Sequence, residues 1–259
     1  MSDLSIADRA RLRVVALADS LALPRREQGD VLSWERTWPY VLARALDDVG
    51  ITADVINCGA RARTIGSLNG ADFEEHVSFK SPDVVVVQVG IVDCAPRVFT
   101  RGMKRILQSP RFPQRVRESL LDWVRSHRTL ALGADPLARV YTKPDRFIRE
   151  LGRFFERVAA VGTIHLGVLP IVGDLERLDK KSPGFSSNIE HYNRLLREAC
   201  ESGGGSLIRL SPDSSWFGAD AYHLSERGSE EVARATIVWL RTRGLLPHED
   251  VVSLQREEV

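Results

Sequence analysis

Apolar residues fall along this chain in two rhythms. Short runs at Arg13–Ala18 (RVVALA), Thr52–Asn57 (TADVIN), Asp83–Val89 (DVVVVQV), Thr163–Leu169 (TIHLGVL) and Ser206–Leu210 predict five strands. The third run is β-branched almost throughout, which predicts a strand covered on both faces, as in a parallel sheet. Elsewhere the spacing is helical. Trp38–Val49 places Val41, Leu42, Ala45, Leu46 and Val49 on one face, and Gly50 ends the run. Phe185–Cys200 and Ser225–Arg241 read as helices, the second with Ser225 placed to cap it. Between them Gly203, Gly204 and Gly205 predict a turn. Residues 100–160 are helical in pattern, cut by Pro110, Pro113, Pro136 and Pro144. Alternating strands and helices predict a parallel sheet with helices on both faces. Neither a repeat nor a low-complexity linker interrupts the pattern, so residues 1–259 read as one domain. The polar tail after Leu246 is expected to fray.

Composition narrows the function classes. The 259 residues are 43% hydrophobic, enough for one large core. A net charge of +1, with arginines scattered and no nucleic-acid motif, argues against a nucleic-acid partner. No apolar run approaches the ~20 residues that span a bilayer. Met1 to Arg13 is polar and does not read as a secretory signal, so a cytoplasmic location is expected. Cys58, Cys94 and Cys200 form no CxxC pair and no zinc-spaced cluster with histidine; buried, reduced thiols are expected, and no metal or cofactor. Charge is uneven, however. Between Arg97 and Arg157 fifteen Lys/Arg face six Asp/Glu, a net +9 against −8 elsewhere. One reading is a solvated helix face. The other, favoured here, is a basic insertion or lid over the site at about 97–157 that draws an anionic substrate.

Open α/β sheets place their sites at the carboxyl ends of the strands. Four segments meet that condition: Asp19-Ser20-Leu21, Asn57-Cys58-Gly59, Gly90 to Arg97, and Asp220 to His223 just before the last helix. A nucleophilic serine needs a base, and the base needs an orienting acid. Ser20, His223 and Asp220 supply the three. Ser20 alone reads as a helix cap and His223 alone as a surface residue; together they read as a triad. The backbone N–H groups of Ser20 and Gly59 are the expected oxyanion donors. Trp34 and Trp38 can stack on a sugar ring, although packing is the commoner use.

These blocks carry a resemblance. ADSL (Ala18 to Leu21), NCG (Asn57 to Gly59), GIVD (Gly90 to Asp93) and DAYH (Asp220 to His223) resemble, in order, the GDSL, NxG, GxND and DxxH blocks of the SGNH (GDSL-like) hydrolases. The resemblance runs from about Val14 to Leu240. It implies a three-layer α/β/α sandwich with a five-stranded parallel sheet in flavodoxin-like order, and no metal. Two departures stand out. Ala18 replaces a glycine, and Val92 stands where the family has an oxyanion-hole asparagine. Valine donates no hydrogen bond, so Asn57 and Arg97 are the nearest replacement donors. Asp19, Val92, Asp93 and Arg97 are the expected substrate contacts, with Asp93 mainly structural in the family. Arg97 either clamps an anion or pairs with Asp93. The implied activity is acyl-ester hydrolysis through an acyl-serine, on an O-acylated carbohydrate or small acyl ester. Two alternatives remain: acyl transfer from acyl-CoA to a sugar hydroxyl, and a non-catalytic glycan- or anion-binding scaffold. Val92 supports the scaffold; Ser20, Asp220 and His223 together oppose it.

Overall fold

In a computed structural model, residues 11–27, 30–99, 101–107, 109–127 and 136–247 are described. Among these residues seven strands form, in chain order: β1 (Leu12–Ala18), β2 (Arg25–Glu27), β3 (Asp30–Leu32), β4 (Ala53–Asn57), β5 (Val84–Gln88), β6 (His165–Val168) and β7 (Ser206–Leu207). Five make one parallel sheet in the order β4-β1-β5-β6-β7. Counting only its members, that is 2-1-3-4-5, the flavodoxin-like order. β2 and β3 pair separately as a small antiparallel hairpin, which the sequence pattern does not announce.

Strand periodicity divides the core. On β5, Val85 and Val87 face one apolar layer while Val84 and Val86 face the other. One layer is closed by α1 (Trp38–Asp48) and the last helix, α8 (Glu226–Thr242). The other is closed by α5 (Pro144–Val161), through Phe147, Leu151 and Phe154, and by α7 (Phe185–Ala199), through Ile189, Tyr192 and Leu196. The expected three-layer sandwich is therefore present. Trp38 belongs to this core, fully buried with its indole N–H donating to Gln88 Oε1 at 2.6 Å, whereas Trp34 is exposed.

Three details differ from the sequence expectation. The fifth strand is two residues long rather than five, its ladder to β6 pairing only Ser206 and Leu207. A helix, α6 (Leu175–Lys181), follows β6, with Asp174 as its cap accepting from Arg177 N. The basic segment also divides. Its C-terminal part, from Pro144, is the crossover helix α5 (Pro144–Val161), whose Arg157 is bonded to Glu74 and to the Asn69 carbonyl. Before it come α2 (Ile91–Cys94), buried in the core, and then α3 (Arg101–Leu107) and α4 (Gln114–Ser126). From Arg97 to Lys143 the chain has eleven Lys/Arg and three Asp/Glu, so most of the positive excess lies there.

Candidate active site

A doubly wound sheet opens a crevice where the chain direction of its connections reverses, here between β1 and β5. Ser20 sits at that point. β1 ends at Ala18, Asp19 N still donates to Gln88 O on β5, and the chain then tightens into a single 3₁₀ turn, Ser20–Ala22. Asp19 caps that turn by accepting from Leu21 N at 3.0 Å. The turn's own bonds leave the Ser20 N–H, its first donor, unused.

His223 comes from the loop before α8. Its Nε2 lies 2.9 Å from Ser20 Oγ, and its Nδ1 makes a short contact with Asp220 Oδ2. Asp220 also accepts from the backbone N–H of Tyr222 (3.2 Å) and His223 (3.0 Å) through Oδ1. Such a tight loop needs one left-handed residue, and Ala221 supplies it at φ 77°. The strain is held in place. Ala221 is buried, its N–H donates to Gly218 O and its carbonyl accepts from Asp174 N. Arg177 and Lys181 from α6 bond the Gly218 and Ala219 carbonyls, and Arg25 from β2 donates to Leu224 O at 2.7 Å. The hairpin and α6, both unforeseen, thus brace the loop that carries the histidine. Partial burial alone raises the Asp220 carboxyl, but the bonds from His223 outweigh it and bring the pKa down to about 2. Asp220 therefore stays ionised beside the imidazole.

Asn57 and Gly59 occupy the second loop. Asn57 Nδ2 donates to Ala22 O at 2.7 Å, and its Oδ1 accepts the Gly59 N–H at 2.9 Å. Gly59, one of the two expected oxyanion donors, and Asn57, a candidate replacement, are thus engaged within the loops, Gly59 because the asparagine side chain curls back on it. An unforeseen residue locks this arrangement. Arg63 is buried, and its guanidinium bonds the carbonyls of Ala18 and Cys58 and the carboxylate of Asp72. Nothing in the sequence distinguishes Arg63 from the exposed Arg61 two positions earlier.

Asp19 and Asp93, expected as substrate contacts, are instead fully buried. Asp93 accepts from Ile65 N at 3.1 Å and from Thr142 Oγ1, joining three loops. Burial pushes the Asp19 carboxyl up to about 7 against the bond from Leu21; Asp93 adds to the rise and Arg63 opposes it. Gly90, which opens the third loop, has φ 123°, and a Cβ there would meet Ile171 at 2.5 Å, so no other residue fits.

Ser20, Val92, Arg97, Tyr141, Ser182 and Tyr222 are among the walls of a cavity of about 320 Å³. The size suits a small ligand. A larger hollow of about 700 Å³ runs along the β7 edge by Trp239 and shares no lining residue with it. The triad geometry, not volume, identifies the candidate site. The Arg97 guanidinium is not paired with Asp93; it lies 4.5 Å above the Tyr141 ring. Among the described residues, no three His, Cys, Asp or Glu converge as a metal site, and the three cysteines are free and buried. Nor does any helix there have the length and apolarity to cross a membrane.

Comparison with known proteins places this geometry in context. The profile of the GDSL-like Lipase/Acylhydrolase family matches residues 19–230. No curated protein matches the chain by sequence. Among solved structures, a lipase/acylhydrolase from Enterococcus faecalis superposes with a TM-score of 0.58 at 16% identity, covering 90% of this chain and 96% of that one. The acetyl xylan esterase AlAXEase gives 0.59 at 20% identity, with 88% and 100% covered. A variant of an acetylxylan esterase from Geobacillus stearothermophilus gives 0.59 at 15% identity, with 92% and 97% covered. At these identities the structural likeness speaks for the fold.

Proposed function

The chain belongs to the GDSL-like Lipase/Acylhydrolase family, and from that premise we propose that it hydrolyses acyl esters through an acyl-enzyme on Ser20. The observation that carries this reading is the unbroken relay from Ser20 Oγ to His223 Nε2, at 2.9 Å, and from His223 Nδ1 to Asp220. Ser20 Oγ attacks the ester carbonyl carbon while its proton passes to His223 Nε2. The carbonyl π pair moves onto oxygen. Collapse of that intermediate breaks the bond to the alcohol, which leaves with the proton from His223. Water then repeats the sequence, giving the acid and restoring Ser20. Asp220, ionised and bonded to Nδ1, holds the ring and offsets the imidazolium charge. The free N–H of Ser20 is the backbone donor available to the oxyanion. With Val92 apolar and the Gly59 N–H turned to Asn57, the hole has fewer donors than the family pattern supplies. Each absent donor costs roughly 10²–10³ in rate, so a modest kcat is expected.

The proposed substrates are O-acylated carbohydrates or small acyl esters, a class consistent with the acetylxylan esterases among the structural neighbours. The basic stretch from Arg97 to Lys143 favours a second reading, transfer from an anionic acyl-CoA donor to a sugar hydroxyl. Intact mass after incubation with acyl esters and acyl-CoAs tests both: a covalent acyl increment on the native chain, absent in Ser20→Ala, is expected. An organophosphonate should label Ser20, and His223→Ala should lower kcat by about 10³ or more. Full turnover by Ser20→Ala would refute the proposal.

A further inference from the structure

The cavity at Ser20 contains two polar groups that the proposed chemistry does not use. Ser182, only 3% exposed, lines it with an Oγ that has no hydrogen-bond partner. Arg97 lines it too, with a buried Nε that likewise has none. Leaving such groups dry and unpaired is costly, about 1–3 kcal/mol for a neutral one and more for a charged one. They belong to different parts of the chain. Arg97 follows the GIVD block, while Ser182 ends α6, where its backbone N–H donates to Leu178 O. Neither one's position follows from the relay. Arg97 is the sole charged residue among the described residues lining the cavity; Val92, Phe185 and Pro96 supply apolar wall beside it. The Tyr141 ring beneath the guanidinium fixes its plane, so a ligand does not have to order a free side chain.

Resting on the hydrolase reading above, we propose that Arg97 and Ser182 form an anion subsite of this cavity, selecting esters that carry a carboxylate a few bonds from the scissile carbonyl. A planar carboxylate accepts two bonds from the terminal nitrogens of a guanidinium. The Ser182 hydroxyl, unpartnered in the same wall, is the next donor. A cavity of about 320 Å³ has room for a short ester and little beyond it. The positive stretch that continues from Arg97 raises the local concentration of the same class of substrate.

The carboxylate sits on either the acyl or the alcohol side, and paired probes separate the two. Monoethyl succinate and ethyl butyrate differ in charge on the acyl side; acetoxyacetate and ethyl acetate differ on the alcohol side. Acid release in a pH-stat gives kcat/KM for each. The native enzyme is expected to prefer one anionic ester over its neutral partner by at least about 10-fold. Arg97→Gln should lower kcat/KM for that ester by about 10- to 100-fold, mainly through KM, and change the neutral ester by less than about 3-fold. Ser182→Ala should give a smaller loss of the same pattern, and Arg97→Lys a partial one, since lysine keeps charge but not the fork. An equal loss on neutral and anionic esters, chiefly in kcat, would assign Arg97 to the oxyanion and overturn the subsite. So would no loss on either. A binding measurement separates this proposal from the hydrolase reading. In Ser20→Ala, calorimetric binding of glutarate or acetoxyacetate should survive and should vanish in Ser20→Ala/Arg97→Gln. Carboxylate binding that ignores Arg97 overturns the subsite even if ester hydrolysis is confirmed. Binding that depends on Arg97 upholds it even if no ester turns over.

Discussion

Replacing Arg63 by methionine tests how the loops that carry Ser20 and Gly59 are held. The substitution keeps an unbranched stem and removes the guanidinium. Three bonds disappear: to Ala18 O, to Cys58 O and to Asp72 Oδ2. Asp72 is 29% exposed on its side chain and can rehydrate, so little of the ion-pair loss persists there. The Ala18 carbonyl keeps its bond from Ala60 N, but the Cys58 carbonyl, beside a side chain that is 3% exposed, loses its partner without gaining water. At about 1–3 kcal/mol for an unsatisfied buried group, a destabilisation of roughly 2 kcal/mol is expected. For a chain near this size that lowers Tm by roughly 4–8 °C. Because Ala18 and Cys58 flank Ser20 and Gly59, kcat/KM should also fall by at least about 10-fold. Urea unfolding followed by tryptophan fluorescence gives the first quantity and ester turnover the second. The exposed Arg61→Met is the control, expected to lie within about 0.5 kcal/mol of the native chain. If Arg63→Met unfolds and turns over like Arg61→Met, the clamp has no energetic role and the reasoning fails.

Three further outcomes follow from the same structure. Burial raises Asp19 to about 7, so the folded chain keeps a proton there that the unfolded chain loses near 3.8. Its stabilising contribution is full below about 3.8 and is lost as pH rises through about 7. Asp19→Asn should therefore unfold with a stability advantage over the native chain that grows by up to roughly 3 kcal/mol from pH 5 to pH 8; an advantage independent of pH would contradict it. A Cβ at Gly228 would lie 2.2 Å from the Trp216 carbonyl oxygen, so Gly228→Ala should lose at least about 3 kcal/mol or fail to accumulate folded, as circular dichroism would show. Finally, screening over about 8 Å at physiological salt should make kcat/KM for an anionic ester fall with added NaCl while a neutral ester is unaffected; parallel curves would leave the basic stretch merely solvated.

Much of the fold is legible in the pattern of residues, for local reasons. β1 and β5 are continuous apolar runs because both faces are covered, and α1 and α8 repeat at helical spacing because each buries one stripe. Ser225 caps α8 through a bond to Gly228 N, a preference of that residue type alone. Segments whose stability comes from partners elsewhere were not legible. The β2–β3 hairpin has three-residue strands, and α6 is seven residues, too short to display a period.

The site divides in the same way. Residue types at the ends of strands can be read along the chain, and so can the grouping of Ser20, Asp220 and His223: the strand ends and the DAYH spacing fix where those side chains start. Which polar atoms are already spent is visible only once the loops are packed together. The Gly59 N–H is taken by Asn57, Asp93 by Ile65 and Thr142, and Arg63, rather than Arg61, is drawn inward to the Ala18 and Cys58 carbonyls. Conversely, Arg97 Nε and Ser182 Oγ, in residues that line the cavity, are left without a partner. A residue's type sets its capacity to bond; whether that capacity is free is a matter of distance between loops far apart in the chain, and sequence spacing does not encode it.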